Sequence, residues 1–108
     1  MDLQEFERIV SDTLDALPEQ FRFALENVAI VIEEEPPPEH GDLLGLYEGT
    51  PIPDRGAGHT GLPDSIRIFR GPILRLCTSQ KQVAAEIRDT VIHELGHHMG
   101  LDDHDMPY

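Results

Sequence analysis

The sequence predicts an α+β fold: a small mixed sheet of about three strands, with one helix at the N-terminus and a longer helix near the C-terminus. A β-branched run near residues 28–34 and an alternating segment near 65–70 are typical of strands, and residues 43–48 form a third candidate strand. Segments with apolar residues at steps of three and four, which are typical of helices, lie before and after them. A chain of 108 residues has the size of one domain, so we expect a single domain over 1–108.

The individual elements follow from local patterns. Apolar residues recur at helical spacing between residues 3 and 17, and Pro18 breaks or restarts that helix. Residues 28–32 form a β-branched run that indicates a buried strand. Residues 65–70 alternate polar and apolar side chains, which predicts a strand with one buried face.

Two segments between these elements show little pattern of regular secondary structure. Residues 33–39 contain four glutamates and three prolines, which predicts a stiff, solvated loop, with attraction of a basic partner as the alternative. Residues 41–63 are rich in glycine and proline and contain one plausible strand. Such a long segment is either a mobile flap beside a functional cleft or an ordinary surface loop.

Charge and composition exclude several classes of function. The chain has 21 acidic against 8 basic side chains and a net charge of -13, so nucleic acid and anionic membranes would repel it. It has no apolar run long enough to span a membrane, and its acidic N-terminus is unlike a secretory signal. The lone Cys77 cannot form an internal disulfide and lies in an apolar run, which favours a buried side chain over a nucleophile. We therefore expect a soluble, cytoplasmic protein.

The last helix carries the most informative pattern. Ser79 is a plausible N-cap, and an apolar face runs from Ala84 to Leu95. His93 and His97 lie on the other side, about 40° apart on the helical wheel. A helix with an apolar core face and two histidines opposite presents ligands to a cleft.

The segment from His93 to His97 reads H-E-x-x-H. Imidazoles at positions i and i+4 lie one turn apart on one face, so both can bind a single zinc ion. Glu94 lies about 100° around the helix, near the metal but not bound to it, where it can accept a proton from a zinc-bound water.

The motif continues as H-E-x-x-H-x-x-G-x-x-D, through Gly100 and Asp103. Glycine at position 100 can adopt positive φ, end the helix and turn the chain back toward the metal. A carboxylate three residues later can then complete a site of three protein ligands, with a fourth position left for water.

This extended motif resembles the active-site consensus of zincin metallopeptidases in its aspartate variant. Together with residues 45–49, 62–64 and 66–70, it makes the chain similar to the mini-zincins, a bacterial family of very small zinc metallopeptidases. The resemblance implies His93, His97 and Asp103 as zinc ligands, with His104 as the alternative third ligand, and Glu94 as the general base. It also implies a zincin-like fold in which an edge strand pairs with extended substrate.

These observations favour a zinc-dependent hydrolase that acts on a peptide or protein substrate. The alternative is a catalytically inactive zinc-binding interaction module, because little chain follows Asp103 to build a second wall for the substrate. We expect structural rather than catalytic roles for two further side chains. His98 would stabilise the helix C-terminus as a cation, and Tyr47 would be a half-buried strand residue rather than an oxyanion donor.

Overall fold

The computed structural model describes residues 1–49 and 64–99. Helices and strands follow one another in the order helix, helix, strand, strand, strand, helix, helix, with short 3₁₀ turns at Leu25–Asn27 and Pro38–His40. The elements are α1 (Leu3–Asp15), α2 (Glu19–Ala24), β1 (Val28–Glu33), β2 (Gly45–Glu48), β3 (Asp64–Phe69), α3 (Arg70–Leu76) and α4 (Gln80–His98). The predicted α+β class is confirmed, and each predicted strand and both long helices are present.

The sheet is mixed, as predicted. β3 is its central strand, parallel to β1 and antiparallel to β2. Ile66 of β3 is the partner of Ile30 on one side and of Tyr47 on the other. Among the described residues, β2 therefore forms one edge of the sheet.

Helix α4 lies between α1 and the sheet and supplies the centre of the core. Its residues Ile87, Val91 and Leu95 are fully buried, as are Ile66 and Ile68 of β3. The core also contains the apolar face of α1, contributed by Phe6, Ile9 and Val10. Since α4 is packed on two sides, its orientation relative to the edge strand is fixed by burial of apolar surface.

The acidic run that begins at Glu33 is paired within the chain. Each of its first three glutamates meets an arginine of the β3–α3 segment: Arg67–Glu33 at 3.3 Å, Arg70–Glu34 at 2.8 Å and Arg75–Glu35 at 2.9 Å. The hydrogen bond from Arg75 lowers the pKa of the Glu35 carboxyl below its ordinary value. These internal pairs argue against the alternative of a docking site for a basic partner.

Two further expectations can be compared with the structure. Cys77 is half-buried and unpaired, and burial, together with the Glu86 carboxylate, raises the pKa of its thiol, which agrees with an unreactive side chain. Within the described residues, no helix has both the length and the apolar character needed to cross a bilayer. The choice between a flap and an ordinary loop for residues 41–63 falls mostly on residues 50–63, which lie outside the described part of the chain.

Candidate metal centre

The helix that carries the H-E-x-x-H motif begins with a side-chain cap. The Ser79 hydroxyl accepts a hydrogen bond from the backbone N–H of Gln82 at 3.2 Å, as the sequence predicts. Gln82 does not complete a capping box, because its side-chain oxygen accepts instead from the N–H of Thr78 at 2.6 Å. Val83, Ile87, Val91, Ile92 and Leu95 form the buried face of α4.

His93 and His97 project together from the opposite side of α4. Their ring centroids are 4.9 Å apart and their planes lie at 80° to one another. Both residues are half-buried, so their rings are held by packing and still reach the surface. One potential ligand atom from each histidine and one from Glu94 all lie within 4.8 Å of one another. Among the described residues, this group could therefore hold a metal ion.

Glu94 is buried beside the two imidazoles, with 7% of its surface exposed. Its Oε1 atom accepts a hydrogen bond from the backbone N–H of Tyr47 at 2.9 Å and lies 3.1 Å from Nδ1 of His97. A carboxylate only accepts hydrogen bonds, so Nδ1 of His97 is the donor and its remaining lone pair is on Nε2. Glu94 is thus fixed by the edge strand on one side and by a histidine of the motif on the other.

The close approach of the edge strand to α4 requires glycine at position 45. A Cβ atom on Gly45 would lie 2.5 Å from Cγ2 of Thr90, 3.1 Å from the carbonyl oxygen of Arg67 and 3.5 Å from Cγ of Glu94. Real Cβ contacts are not as short as the first of these, so a side chain at position 45 would displace either Thr90 or β2. Gly45 therefore allows the Tyr47 amide to reach Glu94.

A second buried cluster lies at the C-terminal end of α4, and the sequence did not reveal it. Oδ2 of Asp64 accepts the hydroxyl of Tyr47 at 2.6 Å and lies 2.5 Å from Nδ1 of His98. Asp64 is 1% exposed and His98 is 2% exposed. Gly49, at φ 149°, packs so closely on the Asp64 carboxylate that a Cβ atom there would overlap it.

This cluster bears on two expectations. His98 lies at the helix end, as expected, but its ring is buried against Asp64 and lies edge-on to Tyr47 with ring centroids 5.9 Å apart. The interpretation of Tyr47 as a structural residue is supported, since its hydroxyl bonds Asp64. The only signal in the sequence was a third histidine directly after His97, and spacing alone could not assign its partner.

The predicted third ligand lies beyond the described residues. Helix α4 ends at His98, two residues before Gly100, which agrees with a helix end near that glycine. Gly100, Asp103 and the alternative ligand His104 belong to residues 100–108, which the structure does not describe. The assignment of Asp103 therefore stays a prediction.

Comparisons with known proteins agree with this fold. A solved structure of a conserved hypothetical protein from Thermus thermophilus is similar to this chain, with a TM-score of 0.62 and 28% sequence identity. The similarity covers 91% of this chain and 94% of that one. No curated protein matches the sequence significantly.

The family model described as zincin-like metallopeptidase matches residues 25–108. The match contains all three strands and the whole of α4, and it includes His93, Glu94 and His97 as well as the segment that holds Asp103. It covers most of the chain. The protein therefore belongs to the zincin-like metallopeptidase family.

Proposed function

We propose that this protein is a zinc-dependent peptidase in which His93, His97 and Asp103 hold the metal and Glu94 is the general base. The observation that carries the proposal is the buried Glu94 carboxylate beside two imidazoles on one helix face. A buried carboxylate has to be matched by donors or by cations, and here it has two donors and a potential metal position.

The donor set suits zinc. Imidazole nitrogen and carboxylate oxygen are both common zinc ligands, and catalytic zinc sites use three protein ligands and keep one position open. The hydrogen bond from Nδ1 of His97 to Glu94 selects the tautomer whose lone pair is on Nε2. Because α4 is anchored in the core by its other face, both rings are oriented before a metal arrives.

When bound, zinc supplies Lewis acidity, which polarises the scissile carbonyl and makes the attacking water more acidic. Glu94 takes the proton of that water and later passes it to the leaving amine. Both of its described hydrogen bonds fall on Oε1, so we assign the proton transfer to Oε2. The Tyr47 amide positions the carboxylate for this role.

The position of β2 supports a peptide as the substrate. In the described part of the chain β2 is an edge strand, and α4 lies directly against it at Gly45. An extended peptide that runs along this edge would bring its backbone past His93 and Glu94, as in recognition by strand addition. The net charge of -13 attracts basic peptides and repels acidic ones.

The experiment is cleavage of a mixed peptide library by the full chain, with and without one equivalent of zinc. We expect new peptide termini, detected by mass spectrometry, only in the zinc-loaded sample. Removing the metal with a chelator should stop cleavage, and returning zinc should restore it. Stoichiometric zinc binding without any cleavage would contradict the proposal and favour the interaction module instead.

A further inference from the structure

A cavity of about 400 Å³ adjoins the candidate metal centre. It lies between α4 and the segment that leads into β2, and its volume is in the range of small-ligand pockets. His93 and Glu94 form part of its wall, so whatever fills the cavity lies next to the reacting groups. The other lining residues include Leu43, Leu44, Glu86 and Asp89.

The lining combines apolar and anionic surface. Leu43 and Leu44 are half-buried and supply the apolar wall. Asp89 pairs with its neighbour Arg88, at 3.4 Å across partly exposed side chains. Glu86 forms no ion pair with any residue in the described ranges 1–49 and 64–99. Among the described residues, the two carboxylates at the cavity therefore outnumber the one cation, Arg88, that pairs with them. The net charge of this group is negative.

The carboxylates lie at a definite distance from the metal ligands along α4. Asp89 lies one helical turn before His93, about 6 Å away along the helix axis. Glu86 lies two turns before His93, about 10 Å away. A side chain that enters the cavity from a peptide backbone at His93 would pack along the leucine wall and bring its tip toward the carboxylates. Lysine and arginine have this construction, an aliphatic stem with a cationic end.

We propose that this cavity is a substrate subsite for a lysine or arginine side chain next to the scissile bond, with Glu86 and Asp89 as the specificity-determining residues. The proposal rests on the peptidase function and names its substrate class. The leucines pack on the stem, and the two carboxylates pair with the cation. Partly exposed pairs of this kind discriminate modestly, so the preference for a basic over a neutral residue should be about tenfold.

The test compares wild type with the double variant Glu86→Gln/Asp89→Asn. The matched control is Glu7→Gln/Asp15→Asn, which makes the same charge change at exposed positions of α1 away from the cavity. Zinc-loaded proteins receive a peptide library in which lysine is replaced by norleucine in half of the members. Wild type and control should cleave beside lysine about tenfold more efficiently than beside norleucine, and the double variant should show a ratio near one.

Binding is measured separately from turnover. Two versions of one blocked peptide, one with lysine and one with norleucine, are titrated into two proteins. The first protein is the Glu94→Gln variant, and the second carries Glu86→Gln and Asp89→Asn as well. A lysine preference that requires Glu86 and Asp89 supports the subsite even if no library peptide is cleaved, which would separate it from failure of the peptidase function. A lysine preference that survives neutralisation, or no preference in either assay, would overturn the subsite.

Discussion

Glu94→Gln should lower kcat by about 100-fold or more while zinc still binds with wild-type affinity. Glutamine keeps the size of the side chain and can still accept the N–H of Tyr47, but it cannot take a proton from water. The loss should appear in kcat rather than in KM, because the substrate is bound by other surfaces. Steady-state kinetics on one cleaved library peptide and a zinc titration measure the two quantities.

Glu7→Gln is the matched control for this substitution. Glu7 is exposed on α1, so its neutralisation should leave both kcat and zinc affinity unchanged. Wild-type turnover by Glu94→Gln would show that another group accepts the proton. Loss of zinc binding would show that Glu94 is a ligand rather than a base.

Asp64→Ala should lower the free energy of unfolding by about 3 kcal/mol. The substitution removes the acceptor that the buried ring of His98 and the hydroxyl of Tyr47 share, so each group loses a hydrogen bond that offsets the cost of its burial. Urea denaturation, with the slope checked for two-state behaviour, measures the change.

Tyr47→Phe separates the contribution of the Tyr47 hydroxyl from that of His98 at Asp64. It removes only the hydroxyl, so it should cost about 1 kcal/mol in wild type and less in the Asp64→Ala background. Equal costs in the two backgrounds would show that the hydroxyl and the carboxylate are energetically independent. A free energy of unfolding unchanged by Asp64→Ala would contradict a stabilising role for the cluster.

Patterns of hydrophobicity were sufficient to predict the fold class and its main elements. The helical spacing in residues 3–17 became α1, and the β-branched run at 28–32 became β1. Each of these elements buries one face, and a buried face makes apolar residues recur every two residues in a strand or about every 3.6 residues in a helix. The sequence did not predict the strand order β1-β3-β2, because no local pattern states which strands are neighbours.

In the candidate site, too, contacts within one element could be predicted from the sequence and contacts between elements could not. The distance between His93 and His97 is local to one helix, so four-residue spacing was enough to predict that their rings meet. The contacts of Glu94 with Tyr47 and of His98 with Asp64 cross 47 and 34 residues of sequence. Such contacts depend on how α4 packs against the sheet, and a helical wheel places His98 only relative to its own helix.

Zinc titration of the metal-free protein tests the metal centre most directly. Wild type should bind one equivalent, and His93→Ala or His97→Ala should each weaken the affinity by more than about 100-fold, since removal of a ligand costs more than removal of a group that orients one. His40→Ala, which removes an exposed histidine from the turn Pro38–His40, should bind like wild type. Failure of wild type to bind zinc, or unchanged affinity in the His93 and His97 variants, would contradict a zinc site on α4.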